Sequence, residues 1–216
     1  MQISCKICGI STLEAAQAAL NDSADFLGFI HFAKSPRHLT LGAMADLMSA
    51  IRAQGASARL VSVVVDPDKE LLDALRDRVR PDLIQLHGKE TPERVTEIAA
   101  AVQIPLIKAV SVSDINDLVA ADAYEPHVEY MMFDAKTPRD AALPGGLGLS
   151  FDWSIMQSYT GSKPWFLAGG VTPANVAAAV KESGAPMVDV SSGVESAPGV
   201  KDNRLISDFL KAAKAI

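Results

Sequence analysis

Gln2-Ile3-Ser4-Cys5-Lys6-Ile7-Cys8-Gly9 is the stretch on which the reading of the whole chain turns. Side chains alternate between the two faces of a strand, so Ile3, Cys5 and Ile7 share one side and Ser4, Lys6 and Cys8 the other. A parallel strand buried on both faces ordinarily reads as a continuous apolar run. Here the second face is polar and ends in a thiol, just before a glycine that lets the chain turn. In α/β proteins ligands gather at the carboxyl ends of strands, which makes Cys8 a candidate for chemistry.

Seven further segments repeat the same pattern of strand followed by helix. Strands are expected over 24–30, 59–65, 82–86, 106–110, 128–133, 164–168 and 187–190, with Leu60-Val61-Ser62-Val63-Val64-Val65 almost purely aliphatic. Ser11-Thr12-Leu13-Glu14 reads as a capping box, Ser11 capping and Glu14 reaching back. Further helices are expected over 41–53 and 68–79, from Thr91 with Pro92 at its first position, over 113–121, from near Asp152-Trp153, after a Thr172-Pro173 cap, and over 202–215. Strict alternation implies a parallel sheet with right-handed crossovers. Eight such units predict a single (β/α)8 TIM barrel over residues 1–216, compact against the ~250 residues usual for the fold. An open doubly wound sheet shares the alternation and is the competing form. The longest loops follow strands two and six, on the rim where a barrel keeps its active site.

With 216 residues, 49% hydrophobic and 21% charged, the chain is long enough for one substantial core, and no composition break marks a second domain. A net charge of -6 argues against a general affinity for nucleic acid or acidic membranes. No secretory signal is evident, and no apolar run reaches the roughly 18 residues of a membrane span. Two cysteines are too few for a disulfide framework, and Cys5 and Cys8, on opposite faces of one strand, are poorly placed to bridge. A cytoplasmic setting is expected. His31, His38, His87 and His127 lack metal-ligand spacing, so no metal is expected.

Three sets of residues carry candidate chemistry. Gly169-Gly170 and Ser191-Ser192-Gly193 follow the last two strands, where barrels place a phosphate site built from backbone N–H groups and helix dipoles; the plain alternative is ordinary tight turns. Gly145 and Gly146 could extend that cradle from the strand-six loop. Cys8 and Asp134 end strands one and six, and a thiol with a carboxyl suits paired proton transfer. For that, Cys8 needs a cationic neighbour, with Lys6 the candidate, and Asp134 must hold or acquire a proton. Taken singly, Cys8 reads equally as a small buried hydrophobe and Asp134 as a cap. Arg37, in Lys34-Ser35-Pro36-Arg37-His38, could grip a carboxylate or be a solvated charge. His87 closes strand four, where it could line the mouth but reads rather as an oriented structural histidine. Two other readings stay open: a Schiff-base lyase using Lys6 or Lys108, and a sugar-phosphate sensor without turnover.

The chain resembles the phosphoribosylanthranilate isomerases of tryptophan biosynthesis. The matching segments are Lys6-Ile7-Cys8-Gly9, Ser35-Pro36-Arg37, Val65-Asp66, Gln85-Leu86-His87-Gly88, Phe133-Asp134, Gly145-Gly146-Leu147-Gly148 with Phe151-Asp152-Trp153, Leu167-Ala168-Gly169-Gly170 with Asn175-Val176, and Asp189-Val190-Ser191-Ser192-Gly193-Val194-Glu195 with Gly199-Val200-Lys201-Asp202. They run in order along essentially the whole chain. Leu147 departs from the family's usual threonine between the glycines. The resemblance implies a (β/α)8 barrel without metal or organic cofactor. It implies an Amadori rearrangement of N-(5-phospho-D-ribosyl)anthranilate to 1-(2-carboxyphenylamino)-1-deoxy-D-ribulose 5-phosphate. Asp134 is then the general acid, Cys8 the general base and Arg37 the holder of the anthranilate carboxylate. The two late loops then hold the 5-phosphate, with Asp189 among the substrate-binding residues. The implied partner is that small molecule alone, with no nucleic acid or membrane, and a monomer or homodimer.

Overall fold

In the computed structural model, which describes residues 3–136 and 148–216, eight parallel strands close into a barrel with each strand beside its sequence neighbour. They are β1 (Ser4–Cys8), β2 (Phe26–His31), β3 (Arg59–Val64), β4 (Leu83–Leu86), β5 (Leu106–Val112), β6 (Tyr130–Ala135), β7 (Trp165–Leu167) and β8 (Met187–Val190). Pairing of β1 with β8, Cys5 opposite Val188, completes the ring and excludes the open sheet. The outer layer carries α1 (Leu13–Asn21), α2 (Leu41–Ala53), α3 (Lys69–Ala74, widening into a π turn over Leu75–Val79), α4 (Pro92–Val102), α5 (Ile115–Ala121), α6 (Val176–Ser183) and α7 (Asn203–Lys214).

Three local expectations are corrected. Thr12, not Ser11, caps α1: its hydroxyl accepts the Ala15 N–H at 3.2 Å, a register that turns Ala15, Ala16 and Ala19 toward the core. Between β6 and β7 the expected helix is a 3-10 turn over Trp153–Ser158. Both the N–H and the hydroxyl of Ser154 bond to Oδ1 of Asp152, at 3.0 and 2.6 Å. Such local bonds compete with the α-helical ladder. The segment is then tied down where Glu125 accepts the Tyr159 hydroxyl and the Ser162 N–H. Thr172 does not cap α6; its N–H instead donates to Oδ1 of Asn175 at 2.7 Å. A short hairpin of β9 (Glu195–Ala197) and β10 (Val200–Lys201) follows β8 and was not expected.

Strand alternation sorts side chains into two apolar groups. Cys5, Ile7, Leu27, Val64 and Leu86 face the helices. Phe26, Val61, Val63, Leu83, Ile107, Met132 and Phe166 fill the barrel interior. Phe26 meets Phe166 edge-to-face at 5.1 Å between ring centroids and Tyr130 at 5.7 Å. Above these rings Lys6 lies inside the barrel with no exposed surface. Gly28 makes that possible: a β-carbon there would stand 2.8 Å from Sγ of Cys8 and 3.1 Å from Nζ of Lys6.

Candidate active site

A cleft of about 840 Å3, counting its open mouth, occupies the carboxyl end of the barrel. Cys8, Arg37 and Asp134 line it, as do Asp189 and both late turns, Gly169-Gly170 and Ser191-Ser192-Gly193. Gly145, Gly146 and Leu147 lie outside the described residues. Around the closed ring β7 and β8 separate β1 from β6. The two turns therefore stand on the rim between Cys8 and Asp134.

Cys8 is 5% exposed, with Lys6 below it. Lys6 donates to Oδ1 of Asp189 at 2.7 Å. Burial opposes its charge, yet the Asp189 carboxylate holds the Lys6 pKa above the ordinary range. For Cys8 burial dominates and pushes the thiol up, against the opposing pull of Lys6 and with Asp189 adding to the rise. Lys6 is thus the expected neighbour, but its charge is shared with a carboxylate and does not depress the thiol in the substrate-free site. The cysteines are free thiols.

Asp134 is 6% exposed and its Oδ1 accepts the N–H of Ala135 at 2.8 Å. Nε2 of His87 stands 3.3 Å from its other oxygen, and Nδ1 of His87 is 2.8 Å from Nε2 of Gln85. His87 and Gln85 both line the cleft. His87 thus stands beside Asp134 and lines the mouth rather than holding a purely structural place. Its position two residues after Gln85, at the end of a strand, was the available signal.

Arg37 is 5% exposed, not a solvated charge. Its Nε and Nη2 donate to the two oxygens of Glu195 at 2.7 and 2.8 Å. Glu195 also accepts from Lys201 at 2.7 Å and from the N–H of Gly199 at 3.1 Å. Burial raises the Glu195 pKa, but Arg37 and Lys201 together hold it below the usual carboxylate range. Burial lowers Lys201, which Glu195 only partly offsets. With two cations around one carboxylate, this corner suits an anion. Glu195 and Lys201 come from the unexpected hairpin, which is why their role was not legible along the chain.

The two glycine turns are shaped by backbone. Gly169 and Gly170 take φ of 83° and 66°, left-handed values that disfavour side chains. A β-carbon on Gly169 would lie 2.6 Å from the Ala135 nitrogen and 2.9 Å from Oδ1 of Asp134. Gly193 is packed so closely on the Val171 carbonyl that the strand-seven and strand-eight turns form one surface.

Neither lysine is placed for Schiff-base chemistry. Lys6 is fully buried under Asp189, and Lys108 faces the helices, donating to Glu90 at 2.6 Å and to the Gly88 carbonyl at 3.0 Å. Among the described residues no group of three or more His, Cys, Asp or Glu side chains could hold a metal ion, and no helix is long and apolar enough to cross a membrane.

A thiol and a carboxyl opening on one cleft, with glycine turns between them, define an acid–base enzyme on a (β/α)8 barrel. Residues 5–212 match the family model described as N-(5'phosphoribosyl)anthranilate (PRA) isomerase. A Caulobacter sp. (strain K31) protein named N-(5'-phosphoribosyl)anthranilate isomerase is 50% identical over 214 residues, covering 99% of this chain and 100% of that one. The Thermotoga maritima phosphoribosyl anthranilate isomerase crystal structure superposes with a TM-score of 0.87 at 34% identity, over 99% of this chain and all of the other. A second solved structure, TM-score 0.84 at 32% identity over 99% of this chain and 100% of that one, is a phosphoribosyl anthranilate isomerase in complex with reduced 1-(o-carboxyphenylamino)-1-deoxyribulose 5-phosphate. The chain belongs to the phosphoribosylanthranilate isomerase family.

Proposed function

We propose that this chain, acting over residues 1–216 as one catalytic barrel, converts N-(5'-phosphoribosyl)anthranilate to 1-(2-carboxyphenylamino)-1-deoxy-D-ribulose 5-phosphate in tryptophan biosynthesis. Asp134, protonated, gives its proton to the furanose ring oxygen; the C1–O bond breaks and the amine nitrogen forms a protonated Schiff base. Cys8, as thiolate, removes the C2 proton, and the electrons of that bond neutralise the nitrogen to leave an enolamine. Tautomerisation then gives the ketose. The resting thiol is raised by burial, so the cationic Schiff base beside it supplies the charge that favours the thiolate. The 5-phosphate rests on the turns at Gly169-Gly170 and Ser191-Ser192-Gly193. Arg37, backed by Glu195 and Lys201, takes the anthranilate carboxylate, and Asp189 serves through its pairing with Lys6. Anchoring both anionic ends orients the sugar between acid and base.

The observation that carries this reading is the placement of the two glycine turns on the rim between Cys8 and Asp134. In a fluorescence assay of substrate consumption, Cys8→Ala and Asp134→Asn each lower kcat by about 100-fold or more, the scale of a lost acid or base. Near-normal kcat in either removes its role, and tight product binding without turnover in the unaltered chain favours the sensor instead.

A further inference from the structure

Gln85 is an unusual filler for the inside of a barrel. Such positions are mostly taken by branched apolar side chains; Leu83 and Val63 beside it conform, and Met132 is apolar though unbranched. Gln85 is 1% exposed. Its Nε2 is satisfied, 2.8 Å from Nδ1 of His87 and 3.2 Å from Sδ of Met132. Its Oε1 is buried with no partner among the described residues. Leaving a buried polar group unpaired is costly, which calls for a reason.

The reason lies in the ring of His87. Exchanging the amide's oxygen and nitrogen would strand an NH2, with two donors, where now a single acceptor is unpaired, and would turn the oxygen on the Met132 sulfur. The orientation as it stands leaves fewer groups unsatisfied. It makes Nδ1 of His87 an acceptor, so the neutral ring carries its hydrogen on Nε2. Nε2 is the atom 3.3 Å from Oδ2 of Asp134, while Ala135 N–H holds Oδ1. The charges around the Gly88 loop are engaged elsewhere: Lys108 pairs with Glu90, which also accepts from the Asp66 and Gly88 N–H groups, and the Asp66 carboxylate accepts the Lys89 N–H.

We infer that His87 is a positioning residue for Asp134, and that Gln85 sets the tautomer through which it acts. With Gln85 Nε2–H on His87 Nδ1, the group that faces Asp134 Oδ2 at 3.3 Å is His87 Nε2–H, on the side of the carboxyl that Ala135 leaves open. A carboxyl free to turn about its Cβ–Cγ bond would present its proton to the ring oxygen only part of the time. Contacts of this length in a substrate-free site tighten when substrate binds. The inference rests on the reading of Asp134 as the acid.

Nitrogen NMR of the histidine rings in the full chain tests it without turnover. Near neutral pH the His87 signals, assigned by their loss in His87→Gln, should show Nε2 bearing hydrogen and Nδ1 bare. In Gln85→Glu the carboxylate accepts from Nδ1–H, so the pattern reverses, and kcat falls about tenfold with KM within about twofold. His87→Ala lowers kcat about 10- to 100-fold, and His87→Gln, which keeps an N–H donor, recovers part of it. Added to Asp134→Asn, His87→Ala costs nothing further. Hydrogen on Nδ1 in the unaltered chain, a Gln85→Glu variant unchanged in tautomer and kcat, or fully multiplicative losses in the double variant would overturn the inference. Normal kcat in Asp134→Asn alone would instead sink the acid assignment, leaving the tautomer measurement standing.

Discussion

Lys6 on β1 and Lys108 on β5 are both buried barrel-strand lysines, and each meets one carboxylate at nearly the same distance, Asp189 at 2.7 Å and Glu90 at 2.6 Å. They point to opposite sides of the sheet. Lys6 shares its face with Cys8, inside the barrel and under the cleft, whereas Lys108 lies between Ile107 and Ala109, which face inward, and so points to the helices. There it packs over the Tyr124 ring, 5.6 Å from its centroid, and ties the Gly88 loop to β5. The same kind of ion pair thus lies under the cleft on one face and in the scaffold on the other. Strand parity, more than residue type or burial, decides which.

Substitutions at the two lysines separate those roles. Lys6→Met removes the cation under the thiol, and kcat should fall about 100-fold or more, the scale of a lost base; steady-state kinetics on folded protein checks it, and a kcat within threefold would put Lys6 with the scaffold. Lys108→Met should leave kcat within about twofold while unfolding free energy drops by about 3–5 kcal/mol, because Glu90 is left buried and unpaired; urea denaturation measures it. A smaller effect is read from the thiols. Only the thiolate is alkylated, and Cys8 is raised by burial while Cys5, on the outer face, is pushed up to about 12. Iodoacetamide modification of Cys8 should therefore climb with pH without levelling off below about 8.5, the unperturbed thiol value, and Cys5 should lag behind it. A plateau near neutrality would show that Lys6 wins over burial after all.

Much of the fold was legible because buried parallel strands announce themselves as short aliphatic runs, and the interval between them left room for one helix each. Closure needed the β1–β8 pairing, which no local signal encodes. Cys8 and Asp134 were legible as polar residues ending such runs. Arg37 was visible, but its partner Glu195 lies 158 positions away in a hairpin that follows β8. The Asp189 that shares the charge of Lys6 is 183 positions off. For the helix caps, Ser11 and Thr12 are chemically interchangeable, and the packing of the alanine face chose between them.

What the sequence determined by itself is periodicity and chemistry: where strands run, which face of each is polar, and which groups sit at their carboxyl ends. The tertiary structure decided how those groups act on one another. Ring closure set Cys8 and Asp134 on one mouth, and burial outweighed the lysine charge at Cys8. The physical reason is range. Side-chain alternation is local geometry fixed residue by residue, whereas desolvation and Coulomb interactions depend on what the folded chain brings within a few ångströms, whatever the separation along it.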